Sequence, residues 1–285
     1  MTTDQQLTYT PLFNGTDLSG WTQIPRSYGD LWPGGPHVLE EMTLFPRDYQ
    51  EHADAHPAAW SVEDGVIVGR QNPPGSGYGG YLLSDESYGD FELIIEAKPD
   101  WPADTGIMLR RSATSWEGVQ VLIDHRRSGS IGGFFGNGLG SFHAVPFALD
   151  AVTDADGHAV GLRGDDPDTS VEPFSPDKRA MLTKAADLDE FLAAWRWDDW
   201  NEFRIRCVGE IPVITVWING LLVSEIDLAS LEAEHYDAAA VWSMLGAEGR
   251  IALEVHDNDP APGMGEDRWG RDAACRWRNA RIARL

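Results

Sequence analysis

The stretch Phe91-Glu92-Leu93-Ile94-Ile95-Glu96-Ala97-Lys98 puts apolar side chains on one side of an extended chain and charges on the other. Side chains alternate with a period of two along a β-strand, so Phe91, Leu93, Ile95 and Ala97 share one face and Glu92, Glu96 and Lys98 the opposite one. A chain built on this period buries one face of each strand and wets the other. The same alternation runs through residues 106–111, 118–124 and 250–256, and strand character continues at 202–208, 213–218 and 275–285. Asn219-Gly220 joins 213–218 to 221–223, and Asp64-Gly65 joins 60–62 to 66–68. Tight hairpin turns need positive φ at both central residues, which these pairs tolerate. Many short strands separated by turns predict an all-β fold of two antiparallel sheets packed face to face as a sandwich.

Helical periodicity is confined to one place. Leu188, Phe191, Leu192 and Trp195 follow the spacing of a helix face, and Asp187 with Glu190 forms a capping-box pattern, so one short helix starts near Asp187. It lies within a Gly-, Asp- and Pro-rich excursion from 138 to 200, read as a loop and short-helix insertion in a single domain spanning 1–285. Loops this long are lids and rims of sites, surface elaborations or oligomer contacts. A second loop-rich stretch covers 27–59, with Pro33, Gly34, Gly35 and Pro36 inside it.

The 42% hydrophobic content of the 285 residues supports a substantial core. The 22 Lys and Arg against 46 Asp and Glu leave a net charge of −24, which repels nucleic acid and anionic membrane surfaces. No apolar run reaches membrane-spanning length, and the opening MTTDQQLTYT has neither the basic start nor the apolar stretch of a secretory leader. With Cys207 and Cys275 alone, a disulfide framework is absent; the expectation is a cytoplasmic protein whose two thiols are buried apolar groups.

Alternation also predicts which polar groups share a surface. With Val119, Val121 and Ile123 inside, Gln120, Leu122 and Asp124 point outward; with Ile251, Leu253 and Val255 inside, Glu254 and His256 point outward. Arg110 joins the outer set beside Ile107 and Leu109, as do Glu92, Glu96 and Lys98. If these strands lie in one sheet, that face gathers carboxylates, an amide, an imidazole and a guanidinium. Such a set hydrogen-bonds hydroxyls and moves protons, and the 12 Trp, 7 Tyr and 10 Phe can cover sugar faces. The plainer reading is a solvated outer face.

Glu254 to Asp259, with Asp124 and His125, offers ligands for a divalent ion, although the spacing matches no dedicated metal loop, and no other cofactor is indicated. Gly129, Gly132, Gly133, Gly136, Gly138 and Gly140 lack the Lys and strand-to-helix context of a phosphate loop and read as close backbone turning. His143 follows them as a candidate for the rim of a site. No nucleophile elbow, zinc-protease helix or Cys-x-x-Cys pair occurs.

Three opening motifs, Phe13-Asn14-Gly15-Thr16-Asp17-Leu18-Ser19-Gly20-Trp21, Trp60-Ser61-Val62-Glu63-Asp64-Gly65-Val66-Ile67-Val68-Gly69 and Tyr88-Gly89-Asp90-Phe91-Glu92-Leu93, resemble the start of the 3-keto-disaccharide hydrolase family, formerly a domain of unknown function. Gly106-Ile107-Met108-Leu109-Arg110, Trp200-Asn201-Glu202-Phe203-Arg204-Ile205, Trp217-Ile218-Asn219-Gly220, Ile251 to His256 and Arg276-Trp277-Arg278-Asn279-Ala280-Arg281-Ile282 continue the resemblance across the chain outside the insertion. It implies a concanavalin A-like jelly roll whose first and last strands pair, with a carbohydrate ligand on a concave sheet. It further implies cleavage of glycosides oxidised at C3 by a partner oxidoreductase.

Carried over residue by residue, the resemblance makes His256 or Glu254 the base, Arg110 the group that steadies an enolate or binds hydroxyls, and Glu96 the group that orients the sugar. Gln120, Asp124, His125 and His143 are the candidate substrate-binding residues. The chain departs from the family pattern in Gly118-Val119-Gln120-Val121-Leu122, where Gln120 stands for an acid and Leu122 for an amide. An amide cannot transfer protons as an acid does, so that role falls to Asp124, His125 or Glu254, or is lost. The alternatives are a non-catalytic lectin-like sugar-binding module and a structural partner of an oxidoreductase.

Overall fold

The computed structural model describes residues 7–41, 46–258 and 268–285. Two antiparallel sheets dominate it. The first runs, in order of pairing, Lys184–Ala185, Leu221–Asp227, Val213–Ile218, Asn201–Val208, Phe91–Pro99, Cys275–Arg284, Val66–Arg70 and Ala59–Glu63. The opening strand Thr10–Pro11 pairs with Cys275–Arg284 in the same sheet, Thr10 opposite Ile282, so the first and last strands meet. The second sheet runs His143–Ala144, Ile131–Asn137, Gly118–His125, Ala103–Arg111, Gly249–Val255, Gly80–Tyr88 and Trp21–Pro25. The chain is an all-β sandwich of two antiparallel sheets.

The core fills the space between the sheets and follows the period of two. Phe91, Leu93, Ile95 and Ala97 of the first sheet meet Ile107, Leu109, Val119, Val121, Ile123, Ile251, Leu253 and Val255 of the second, all essentially without exposure. Both predicted hairpin turns have positive φ at each central residue, 51° and 80° at Asp64 and Gly65, 51° and 86° at Asn219 and Gly220. Cys207 and Cys275 are free and buried, and burial pushes the Cys207 thiol up to about 12.

The stretch from 138 to 200 adds a short strand to each sheet, His143–Ala144 and Lys184–Ala185, and a separate hairpin of Leu149–Thr153 with Ala159–Gly164. Its helix Leu188–Ala194 begins at the expected cap, with the Asp187 N–H donating to the Glu190 carboxylate at 3.5 Å. The short helices Val38–Glu41, Tyr49–Ala55, Pro176–Ala180 and Ala238–Leu245 were not legible, being brief or, like Ala238–Leu245, apolar without a clear stripe. Among the described residues no helix is long and apolar enough to cross a membrane.

The glycine-dense stretch departs in part from the expected turning: Gly138 and Gly140 do turn the chain, with φ of 67° and 86°, but Gly132, Gly133 and Gly136 belong to the strand Ile131–Asn137 of the second sheet. Its glycines make room for side chains that cross it. A Cβ on Gly136 would stand 2.4 Å from a ring carbon of Phe142, which is buried and cannot retreat. Gly136→Ala is therefore expected to cost about 1–3 kcal/mol of stability by overpacking. Equilibrium urea unfolding checks this, and a loss below about 0.5 kcal/mol would mean that the Phe142 ring has somewhere to go.

Candidate functional site

The outer face of the second sheet, turned away from the core, carries a cavity of about 160 Å³. Pairing brings its polar residues into line: Asp104 lies opposite Asp124, Met108 opposite Gln120, and Gln120 opposite Phe135. Glu254 and His256 come from the strand on the other side of Ala103–Arg111 and from its end. Gln120, Asp124, His143 and His256 line the cavity, and Glu254 is fully buried beside it through its contacts with Gln120 and Arg26.

One half of the cavity is organised by Arg26, which follows the strand Trp21–Pro25 and is only 3% exposed. Its Nη1 is ion-paired with Glu254, its Nε lies 3.0 Å from Asp257 Oδ1, and its Nη2 lies 3.0 Å from His256 Nε2. Gln120 Nε2 donates to the other Glu254 oxygen and receives at Oε1 an N–H from Asn137 at 3.2 Å. Asp257 Oδ2 accepts hydrogen bonds from Tyr28 at 2.9 Å and from Tyr49, which ties the stretch after Arg26 to the end of the Gly249–Val255 strand. A guanidinium nitrogen can only donate, so His256 Nε2 accepts and the ring proton sits on Nδ1. That Nδ1 faces the Asp257 backbone carbonyl at 2.7 Å and its carboxylate at 2.8 Å. Burial and Arg26 lower the affinity of His256 for a proton, but the Asp104 and Asp257 carboxylates outweigh them and the net shift is upward from 6.5.

The other half is a carboxyl pair held by arginines. Burial and the adjacent Asp104 carboxylate raise the Asp124 carboxyl well above its usual range. Asp104 moves the other way, since His256, Arg126 and Arg268 together overcome its burial. Two like charges across one strand pair cannot both ionise cheaply, so Asp124 keeps the proton and Asp104 the charge. Arg126 Nε donates to Asp104 at 2.7 Å and its Nη2 to Glu172 at 2.5 Å, while Arg268 Nη1 reaches Asp104 at 2.6 Å. His143 Nδ1 lies 3.6 Å from Glu172, and burial pushes its imidazole down to about 4.

Three predicted residues lie elsewhere. The strand Ala103–Arg111 carries a bulge: Arg111 pairs with Arg250 and Met108 with Ala252, so Leu109 and Arg110 together oppose Ile251. Arg110 takes φ of 46° and turns its guanidinium to the Gly89 and Glu210 carbonyls and to Asp90 Oδ1 at 3.0 Å, over the Trp242 ring. Arg111 takes the place alternation assigned to Arg110, 4.6 Å from the centre of the Tyr81 ring. Glu96 belongs to the first sheet, across the core, where Arg278 Nε and Asn279 Nδ2 donate to it at 2.5 and 2.9 Å. His125 has the parity of the core side: its Nδ1 meets the Asp100 carbonyl at 2.8 Å and its ring lies among Trp101, Trp195 and Trp197.

The expected metal set is not assembled either. Glu254 is taken up by Arg26 and Gln120, His125 faces tryptophans, and Asp259 lies outside the described residues. Among the described residues, the one group of three close donors is the exposed Asp154, Asp156 and His158 on a hairpin turn.

Arg26, Tyr28, Asp104, Arg126, Glu172 and Arg268 had not been singled out, and Asp257 only as a possible metal ligand. Asp104 was legible, since it is two residues before Gly106 on the outer parity of a strand that begins earlier than its apolar run suggests. The others sit in loops or just past strand ends, where no period reports direction.

Fold and cavity together define a two-sheet antiparallel β-sandwich with a polar cleft on the outer face of one sheet. The chain belongs to the family of 3-keto-alpha-glucoside-1,2-lyase-like domains, whose model matches residues 8–283. No curated protein matches the chain. Among solved structures, a candidate glycosyl hydrolase from Parabacteroides distasonis is similar at 17% identity and a TM-score of 0.48, covering 98% of this chain and 100% of its own. The carbohydrate-binding module CBM66 from Bacillus subtilis is similar at 12% identity and a TM-score of 0.40, with 93% and 95% covered. A galectin-like protein of unknown function from Bacillus subtilis is similar at 10% identity and a TM-score of 0.44, with 98% and 95% covered.

The burial of His125 has a measurable consequence. Its pKa is pushed down to about 4 in the fold, chiefly by burial, against an ordinary 6.5. Between those values the unfolded chain binds a proton that the folded chain does not, so this residue lowers stability as pH falls from about 6.5 to about 4. Relative to wild type, His125→Phe should flatten the decline over that window, by on the order of 3 kcal/mol at its lower end. Urea denaturation at successive pH values measures it, and parallel curves for the two proteins would contradict the assignment.

Proposed function

We propose that the cavity cleaves glycosides already oxidised to a ketone at C3, by elimination followed by addition of water. A C3 ketone acidifies the proton on C2, so a base can remove it and leave an enolate. The observation that carries this reading is the placing of a proton acceptor, His256 Nε2, 3.0 Å from a guanidinium nitrogen of Arg26, in the same cavity as the protonated Asp124. Membership of the 3-keto-alpha-glucoside-1,2-lyase-like family supports the choice of substrate class.

In this mechanism His256 takes the C2 proton as the C3 oxygen gains negative charge, and Arg26 donates to that oxygen in place of its contact with the imidazole. The enolate then collapses: the C1–C2 double bond forms, the C1–O bond breaks, and Asp124 protonates the departing oxygen. Water adds at C1, giving up its proton to Asp124, and C2 recovers a proton from His256. The net change is addition of water across the glycosidic bond. The Asp104 and Asp257 carboxylates raise the proton affinity of His256 above that of an ordinary imidazole, which strengthens it as a base. Glu254 serves differently from the role expected of it, fixing Arg26 and Gln120 rather than meeting substrate. Since the substrate is already a ketone, an oxidoreductase acting at C3 must supply it.

Reaction of a 3-keto disaccharide in deuterated water tests the route. The expected result is release of the reducing sugar with one deuterium at C2 of the ketone product, and a fall in kcat of about a hundredfold or more for His256→Ala and for Asp124→Asn. Product formed without deuterium at C2, or full turnover by His256→Ala, would rule the mechanism out. Saturable binding of the 3-keto sugar with no product would instead identify a sugar-binding module.

A further inference from the structure

The cleft lies between groups that come from the two edges of the second sheet. Arg26 follows the edge strand Trp21–Pro25, while His143 stands on the opposite edge strand, His143–Ala144. Between them lie Gln120, Leu122 and Asp124 of Gly118–His125 and Asp104 of the next strand. The proposed reaction gives this span a direction. With the C3 oxygen at Arg26 and the C2 proton at His256, C1 is the next ring atom, on the far side of C2 from C3. The group that leaves C1 therefore extends away from Arg26, toward the wall made by His143 and Glu172.

That wall is built by the 138–200 excursion, and its carboxylate is only half engaged. Glu172 Oε2 accepts from Arg126 Nη2 at 2.5 Å, with Arg268 Nη2 3.9 Å away. Glu172 Oε1 takes part in no hydrogen bond among the described residues and lies 3.6 Å from His143 Nδ1, too far for a direct bond. The Glu172 side chain keeps 30% of its surface exposed and that of His143 17%, so both are open to a molecule in the cleft. One hydroxyl can bridge such a gap, donating to the carboxylate and accepting from the ring when its proton is on Nδ1. The Phe135 ring, edge-on to His143 with centroids 5.9 Å apart, adds an apolar surface beside them.

These groups discriminate among leaving groups. An alkyl or aromatic alcohol would cover Glu172 Oε1 without giving it a donor, an anionic group would meet the carboxylate, and an ammonium would meet Arg126 and Arg268. A neutral group carrying hydroxyls supplies the missing donor. Resting on the reaction proposed above, we infer that Glu172 and His143 form the leaving-group subsite. Glu172 is the residue that selects a neutral, hydroxylated leaving group, a second sugar ring with its C–H face against Phe135.

Steady-state kinetics with a 3-keto disaccharide and with the methyl glycoside of the same 3-keto sugar test it, since the two share the reacting ring and differ in what departs. Wild type should favour the disaccharide. The ratio of kcat/KM for the disaccharide to kcat/KM for the methyl glycoside should fall about tenfold or more in Glu172→Gln, the loss of one charge-assisted hydrogen bond. His143→Ala, which leaves Arg126 with both of its carboxylates, should move the ratio in the same direction. An equal loss on both substrates would make Glu172 a support for Arg126 alone and overturn the subsite, as would an unchanged ratio in both variants or a wild type that favours the methyl glycoside. Each of those results leaves the reaction standing. If wild type cleaves neither substrate, the reaction is refuted and the subsite falls with it.

Discussion

The buried guanidinium of Arg26 is the contact on which the rest of the cleft depends. It lies between two fully buried carboxylates, Glu254 and Asp257, and against His256, so three groups from one strand and its end take their orientation from a residue far away in sequence. Buried charges are tolerated only when partnered, and removing one member of such a set typically costs about 3–5 kcal/mol because the others are left unpaired. The arrangement also locates the proton on His256: Arg26 covers Nε2 and Asp257 covers Nδ1. A second cluster, Asp104 with Arg126, Arg268 and Glu172, repeats the principle on the other side of the cavity. Together they make a polar surface that is rigid although it faces away from the hydrophobic core.

Much of the sandwich was legible because a period of two is a local property. The inward series in Phe91–Pro99, Gly118–His125 and Gly249–Val255 needed only the apolar pattern, and the two hairpin turns needed only Asn-Gly and Asp-Gly. The site was partly legible for the same reason, since Gln120, Asp124, Glu254 and His256 share the parity that points away from the core. Parity does not say which sheet a strand joins. Glu96 has outward parity and is nonetheless on the far side of the molecule, because Phe91–Pro99 pairs with Asn201–Val208 and Cys275–Arg284 rather than with the strands of the cleft.

Arg110 and Arg111 show a second limit. A single extra residue in a strand transfers every later side chain to the other face, and nothing in Leu109-Arg110-Arg111 announces it. The bulge is accommodated where Gly249 lets the Arg110 backbone pass: a Cβ there would come within 2.4 Å of the Arg110 carbonyl carbon. The replacement of an acid by Gln120 can likewise be interpreted only in three dimensions. The amide bridges Glu254 and Asn137, while a carboxyl pair stands along the same outer face at Asp104 and Asp124.

The strand Cys275–Arg284 is inserted between Phe91–Pro99 and Val66–Arg70, so it is an interior member of its sheet although it is the last strand in the chain. Without residues 275–284 the two parts of that sheet have no hydrogen-bonded connection, and each shows an unpaired edge to its surroundings. Closure of the sandwich therefore waits on this one strand, and any state in which it is undocked is open to strand-to-strand association.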